Sequence, residues 1–175
     1  STTDIHEGWR EHRTSGGVVI DVQSDEIVAD GLSMPHSPRW HNGRLWLLNS
    51  GQGEFGYLDF VTGRFEAIAF CPGYVRGLSL FGDFAVVGLS RPRSNQSLEG
   101  LPIEKRLNDK NVEPRCGLQV INLTTGDIVH ELKIQGVVQE LYDVCVLPAV
   151  KRPMVIGFKT DEIKHTLSIP PTSSR

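Results

Sequence analysis

The chain has 175 residues, enough for one ordinary domain with a buried core, and a formal net charge of −3 from 18 basic and 21 acidic residues. It contains no long run of like charge, which argues against nucleic acid or a membrane surface as the partner. Its longest apolar stretches, such as residues 84–89, are far shorter than the roughly 20 residues of a membrane helix, and its polar N-terminus differs from an export signal, so we expect a cytoplasmic protein.

Residues 17–28, GVVIDVQSDEIV, predict two short strands joined by a turn after Asp21. The same pattern recurs from Phe55, where Asp59 precedes the turn, and from Gly117, where Asn122 does. Asp and Asn favour such turns because their side chains accept hydrogen bonds from backbone N–H groups two residues on. We therefore expect three similar hairpins.

A gap-free internal repeat lies between these hairpins. Residues 36–50 read HSPRWHNGRLWLLNS and residues 76–90, 40 positions later, read RGLSLFGDFAVVGLS. Each predicts a strand, a two-residue turn at Asn42-Gly43 or Gly82-Asp83, and a second apolar strand that ends in serine. A less regular third copy begins at about Tyr142, where PMVIGF matches FAVVGL.

Together these segments predict four-stranded antiparallel units near residues 34–74, 75–137 and 138–169, which are typical of β-propeller blades. The predicted fold is all-β, with residues 1–175 as one propeller-like domain of about three to four blades. An insertion at residues 91–115 interrupts the second unit, and Leu101, Ile103 and Leu107 predict a short helix after Pro102. Such an insertion either carries function at a rim or is a solvated decoration.

Aromatic side chains alternate with polar residues along the predicted strands, which indicates a core between the sheets. They are Trp40, Trp46, Phe55, Tyr57, Phe60 and Phe70.

Five segments resemble an uncharacterised family of conserved hypothetical bacterial proteins, a domain of unknown function found alone or beside tetratricopeptide repeats. They are LSMPHSPRWHNGRLWLLNSGQGEFGYLD, FCPGYVRGLSLFGDFAVVGLSRPR, EPRCGLQVINLTTGD, LYDVCVLP and RPMVIGFKTDEI. The resemblance covers nearly the whole chain. Members of that family are usually about twice this long, so the resemblance implies a C-terminal half. Three to four blades leave open edges, from which we expect a homo-oligomer or a fragment of a longer chain.

More distantly, PHSPRWHNGRLWLLNS is similar to a strand entry of gluconolactonase-like and strictosidine-synthase-like propellers. In the metal-dependent lactonases the first polar position is a Glu that binds a divalent cation. His36 occupies that position here, and Arg76 occupies the matching place in the next repeat, so we expect no metal site of that type.

The repeat places His36, Arg76 and the pair Tyr142 and Asp143 at the starts of the innermost strands, where propellers usually bind ligands at the channel mouth. Further residues on loops at the same level complete the candidate ligand-binding set: Trp9, Arg10, Arg91 and Arg115. Converging arginines suit a small anionic or zwitterionic ligand. The alternative is that these side chains cap strand ends and tie loops to backbone carbonyls.

No nucleophile elbow, glycine-rich phosphate loop or metal-ligand spacing occurs in the sequence. We therefore expect no cofactor and no metal, and a non-catalytic module that binds a small anionic ligand or a protein partner. The alternative is a lactonase-like or lyase-like propeller enzyme with His36, Arg76 and Asp143 at the channel mouth. The sequence leaves the ligand unidentified.

Overall fold

The computed structural model describes residues 3–91, 99–153, 156, 157, 159 and 161. Within these residues it contains ten strands, one α-helix and two short 3-10 helices, Gly8–Arg10 and Ser50–Gln52. The elements are β1 Gly17–Ile20, β2 Ile27–Leu32, β3 Pro35–His41, β4 Arg44–Asn49, β5 Glu54–Asp59, β6 Arg64–Phe70, β7 Tyr74–Phe81, β8 Phe84–Ser90, α1 Pro102–Lys110, β9 Gly117–Asn122 and β10 Ile128–Lys133.

The strands form two four-stranded antiparallel sheets in chain order, β3-β4-β5-β6 (sheet 1) and β7-β8-β9-β10 (sheet 2), preceded by the hairpin β1–β2. The expectation of an all-β protein built from four-stranded antiparallel sheets is confirmed. No helix in the described part of the chain is long and apolar enough to cross a membrane.

The first hairpin of each sheet has the predicted two-residue turn. His41 pairs with Arg44 around Asn42-Gly43, and Phe81 pairs with Phe84 around Gly82-Asp83. Asn42, Gly43 and Gly82 all have positive φ angles, the conformation that these residue types adopt most easily.

Both hairpins also break register at the same place, between His36 and Arg39 in β3 and between Val75 and Leu78 in β7. Ser37 and Gly77, which are 40 positions apart, have positive φ values of 53° and 84° there. At Gly77 a Cβ atom would lie 2.7 Å from the backbone of Asp143, so this position requires glycine.

The predicted turns of the outer hairpins are present. The Oδ1 atoms of Asp21, Asp59 and Asn122 each accept a backbone N–H hydrogen bond of 2.8 Å from the residue two positions on. These Asx turns close the β1–β2, β5–β6 and β9–β10 hairpins.

The core has two main layers. Trp46, Leu48 and Phe55 of sheet 1 pack against Val75 and Val87 of sheet 2, in a cluster that includes the stacked rings of Trp46 and Phe55. Leu47 and Leu58, on the opposite face of sheet 1, pack against the β1–β2 hairpin through Ala29 and Leu32. The prediction of a core position was wrong for Trp40 and Phe60, which are 65% and 52% exposed and contact each other at the outer surface.

The predicted helix in the insertion is α1, which begins at Pro102. Leu101, Ile103 and Leu107 are buried and form a third apolar cluster with Met34, Phe70 and Tyr74. Because these partners belong mainly to sheet 1 and the start of β7, the insertion folds back across the sheets.

The third predicted unit, near residues 138–169, lies in part outside the described residues. Residues 134–150 contain no strand, so the strand expected from Tyr142 is absent. Instead this segment runs beside β7 and β8, where Leu141 N donates to Ser90 Oγ at 2.9 Å and Val146 N donates to Ser79 Oγ at 3.1 Å. The PMVIGF segment lies largely outside the described residues.

Candidate functional site

The strands β3 and β7 lie side by side with their starts at the same end of the molecule. Gly77 N donates to Ser37 Oγ at 3.1 Å, and the His41 side chain contacts Gly82 O at 2.8 Å between the two turns. The end where β3 and β7 begin, opposite these turns, we call the start end. The sequence-predicted candidate residues lie at or near this end.

His36, the second residue of β3, has a fixed ring. Its Nδ1 atom lies 2.8 Å from Met34 O and 3.1 Å from Ser50 Oγ, and Ser50 donates its own proton to Val75 O at 2.6 Å. Met34 O is a carbonyl oxygen, and Ser50 Oγ already donates its only proton to Val75 O, so both atoms can only accept a hydrogen bond from His36. Nδ1 must therefore carry the proton. In the neutral ring Nε2 is then a hydrogen-bond acceptor, and it has no partner among the described residues.

Burial lowers the pKa of His36, and the positive charge of Arg76 lowers it further, while the hydrogen bond to Met34 opposes the shift. The ring also contacts Tyr74 edge-to-face at 5.7 Å, and burial raises the pKa of that tyrosine to about 12. The neutral imidazole is therefore the favoured form at neutral pH.

Trp9 and His36, two of the predicted site residues, line one cavity of about 340 Å³. Its walls come from the N-terminal segment, the start of β1 and the start of β3: Trp9, His12, Arg13, Gly16, Gly17, Val18, Met34, Pro35 and His36. Arg10, the third predicted residue here, stacks on the Trp9 ring at 4.8 Å and pairs with Glu7 at 2.8 Å. Its guanidinium thus orders the indole beside the cavity.

Arg76 and Tyr142 also lie together, with the guanidinium 4.6 Å from the ring centre. Asp143 pairs with Arg39 at 3.6 Å and accepts a bond from its neighbour Val144 N at 2.9 Å. Arg76 and Tyr142 thus contact each other, and Asp143 contacts β3 through Arg39. The positive charge of Arg76 is close enough to His36 to lower the pKa of its ring.

Arg91 and Arg115 line a second cavity, of about 330 Å³, at the end of β8. It shares no lining residue with the His36 cavity. The predicted single mouth is therefore divided between two cavities and the Arg76–Tyr142 stack.

Sequence reasoning missed Ser50 as the residue that fixes His36. The signal was available, because both copies of the repeat end in serine, Ser50 and Ser90. It also missed the pair of Glu54 and Arg106, in which Arg106 of α1 bonds to Glu54 and Gln52 O, because nothing local connects residues 52 positions apart.

Among the described residues, no group of three or more His, Cys, Asp and Glu side chains is placed to hold a metal ion. A family model described as a domain of unknown function (DUF4915) matches residues 1–156. Among curated proteins, none matches the chain.

Proposed function

Because the chain belongs to the DUF4915 family, whose function is unknown, we propose a function from the geometry: a non-catalytic, propeller-like module that binds a small zwitterionic or hydroxylated anion in the His36 cavity. The observation that carries the proposal is the neutral, fixed imidazole of His36, which shares a cavity with an indole and the cationic residue Arg13.

The propeller-like arrangement is supported by equivalent contacts between successive units. Ser50, which directly follows β4, donates to Val75 O in β7, and Ser90, 40 positions later at the end of β8, bonds to Leu141. Each serine thus ties the end of a second strand to the chain segment that follows its sheet. Repetition of one unit-to-unit contact is what sheets arranged about a common axis require.

The chemistry of the cavity defines the ligand class. The Nε2 acceptor of His36 suits an O–H or N–H donor, while Arg13 and the nearby charge of Arg76 favour an anionic group. Trp9, Met34, Pro35 and Val18 provide apolar contact for the ligand body. A small hydroxy acid or amino acid combines these features.

The test is calorimetric titration of the whole chain with a panel of hydroxy acids and amino acids, compared with simple carboxylates. His36→Asn is the sharpest variant, because its amide N–H can replace Nδ1–H while the Nε2 acceptor is lost. We expect it to weaken binding about tenfold, the loss of roughly one hydrogen bond.

Trp9→Ala should also weaken binding by removing the aromatic wall. The matched controls are His130→Asn on exposed β10 and Trp40→Ala at the outer surface, which should leave affinity unchanged. Binding that is the same in His36→Asn and in the wild type would refute the proposal, and so would a panel with no saturable ligand.

A further inference from the structure

The second cavity is surrounded by positive charge. Its walls carry Arg91 just after β8, Arg115 just before β9 and Lys133 at the end of β10. The other wall residues are polar or small for the most part: Pro114, Cys116, Ile134, Gln135, Gly136, Val138 and Gln139. The two ends of the β8–β9 connection and the end of β10 thus bring three cationic residues to one space of about 330 Å³.

The acidic groups nearby neutralise this charge only in part. Glu131 accepts hydrogen bonds from both Arg115 at 2.6 Å and Lys133 at 3.2 Å, so one carboxylate serves two cations. Burial alone would raise the pKa of Glu131, but the bonds from Gln119 and Lys133 and the charges of Arg115 and Lys133 lower it, so the group stays ionised. Glu140 is a second carboxylate close to this wall.

Arg91 differs from the other two cations, because its guanidinium has no ion pair with a carboxylate among the described residues. Its backbone N–H donates to Gln139 O at 2.8 Å, but its guanidinium makes no hydrogen bond or ion pair with any described residue. Within the part of the chain that the structure describes, three cations line this cavity and two carboxylates, Glu131 and Glu140, lie beside it, so these five groups carry a net positive charge.

The walls are held by backbone hydrogen bonds. Besides the Arg91–Gln139 bond, Ile134 N donates to Cys116 O at 2.9 Å and Arg115 N donates to Pro72 O at 2.9 Å. These bonds fix the backbone that carries each cation relative to the others. A ligand would therefore meet positive groups that are largely placed in advance, which lowers the entropic cost of binding.

We propose that this cavity is a second ligand site, separate from the His36 cavity, which binds a small oxyanion with a carboxylate or phosphate group. The planar guanidinium of Arg91 offers two parallel N–H donors that match either group, and Arg115 and Lys133 supply further charge. The side-chain amides of Gln135 and Gln139 add neutral donors.

The test is titration of the whole chain with inorganic phosphate and, separately, with succinate, each against sodium chloride at equal ionic strength, monitored by backbone amide NMR. We expect saturable shifts at residues 115, 116, 134–136 and 139. Arg91→Gln should weaken binding roughly tenfold or more, the loss of a charge-assisted hydrogen bond. The tighter of the two probes identifies the group that the site prefers.

Arg64→Gln is the matched control, because Arg64 is an exposed arginine on β6, outside the cavity. It should leave both affinities unchanged. The amide shifts separate this site from the function proposed above, because the residues that carry them line this cavity and not the His36 cavity. Absence of saturable shifts with both probes would overturn the proposal. Equal affinities in Arg91→Gln and the wild type would overturn it as well.

Discussion

The connection between β8 and β9 borders two regions at the start end, one filled with apolar side chains and one open. Its helix α1 folds back over the Ser50–Gln52 turn of sheet 1 and fills that region with Ile103 and Leu107. Its two ends, Arg91 and Arg115, border an open cationic cavity at sheet 2. The same loop thus closes the Ser50–Gln52 side of sheet 1 with apolar side chains and an ion pair, and leaves the end of sheet 2 lined with charge. The His36 cavity, on the side of sheet 1 that faces β1, also stays open.

The largest expected difference between the two regions is in thiol reactivity. Cys71 lies in the filled region, where its N–H donates to Gly53 O, and burial raises its pKa to about 12. Cys145 is exposed. Since the thiolate is the reactive form, a pKa of about 12 should by itself slow the alkylation of Cys71 by iodoacetamide roughly a thousandfold relative to a free thiol, and the exposed Cys145 should react far faster than Cys71.

Cys116 is the intermediate case, because it is buried but lines the open cavity. Burial raises its pKa as well, but a reagent can reach the cavity that it borders. Its alkylation rate, followed by peptide mass spectrometry, should lie between those of Cys145 and Cys71. If Cys71 reacts as fast as Cys116, the first region is not filled in the way described.

The next largest effect should come from emptying the filled region. Ile103 is fully buried against Met34, Phe70 and Tyr74. Ile103→Ala removes this packing and leaves a cavity, so it should lower the free energy of unfolding by about 2 to 4 kcal/mol in urea denaturation. Val129→Ala on exposed β10 is the control and should change stability by less than about 0.5 kcal/mol. A loss below about 1 kcal/mol for Ile103→Ala would mean that α1 is only a surface decoration.

The sequence predicted the local features of this comparison well. Turns at Asn42-Gly43 and Gly82-Asp83 and the helix start at Pro102 follow from backbone preferences of a few residues, and the apolar face of α1 follows from its periodicity. These signals depend only on neighbours in the chain.

The sequence could not predict where α1 packs or how the candidate residues divide. The contact between Arg106 and Glu54 depends on how a long loop returns, which no local pattern encodes. The repeat aligned the turns and the register breaks of β3 and β7 correctly, but it also implied that equivalent positions such as His36 and Arg76 share one cavity. The exposed side chains of Trp40 and Phe60 show the same limit of local patterns. Alternation of apolar and polar residues predicts which face of a strand a side chain lies on, but not whether another part of the chain covers that face.

A smaller effect should follow from the ion pair that attaches α1 to sheet 1. Glu54 accepts bonds from both Arg106 and Asn49, and its carboxylate is mostly shielded from solvent. Glu54→Gln keeps the shape but removes the charge, so it should cost about 1 to 2 kcal/mol of unfolding free energy. Lys105→Gln removes the neighbouring pair with Asp109, which is exposed, and should cost less than about 0.5 kcal/mol. Equal losses for the two variants would contradict the shielded position of Glu54.

The smallest effect should be the pH dependence of stability that His36 contributes. His36 lies next to the filled region, since Met34 and Tyr74 contact both its ring and the α1 cluster. Its folded-state pKa lies below the unfolded value of about 6.5, because burial and Arg76 disfavour the charged ring. Between these two pKa values the unfolded chain binds more protons, so stability rises with pH there. The stabilisation by neutral His36 is complete above about pH 6.5 and is lost as pH falls through the folded pKa. His36→Asn should flatten this part of a urea-midpoint profile, whereas His130→Asn should not. A profile that His36→Asn leaves unchanged would show that the ring does not resist protonation, and the Nε2 acceptor assigned to it would lose its support.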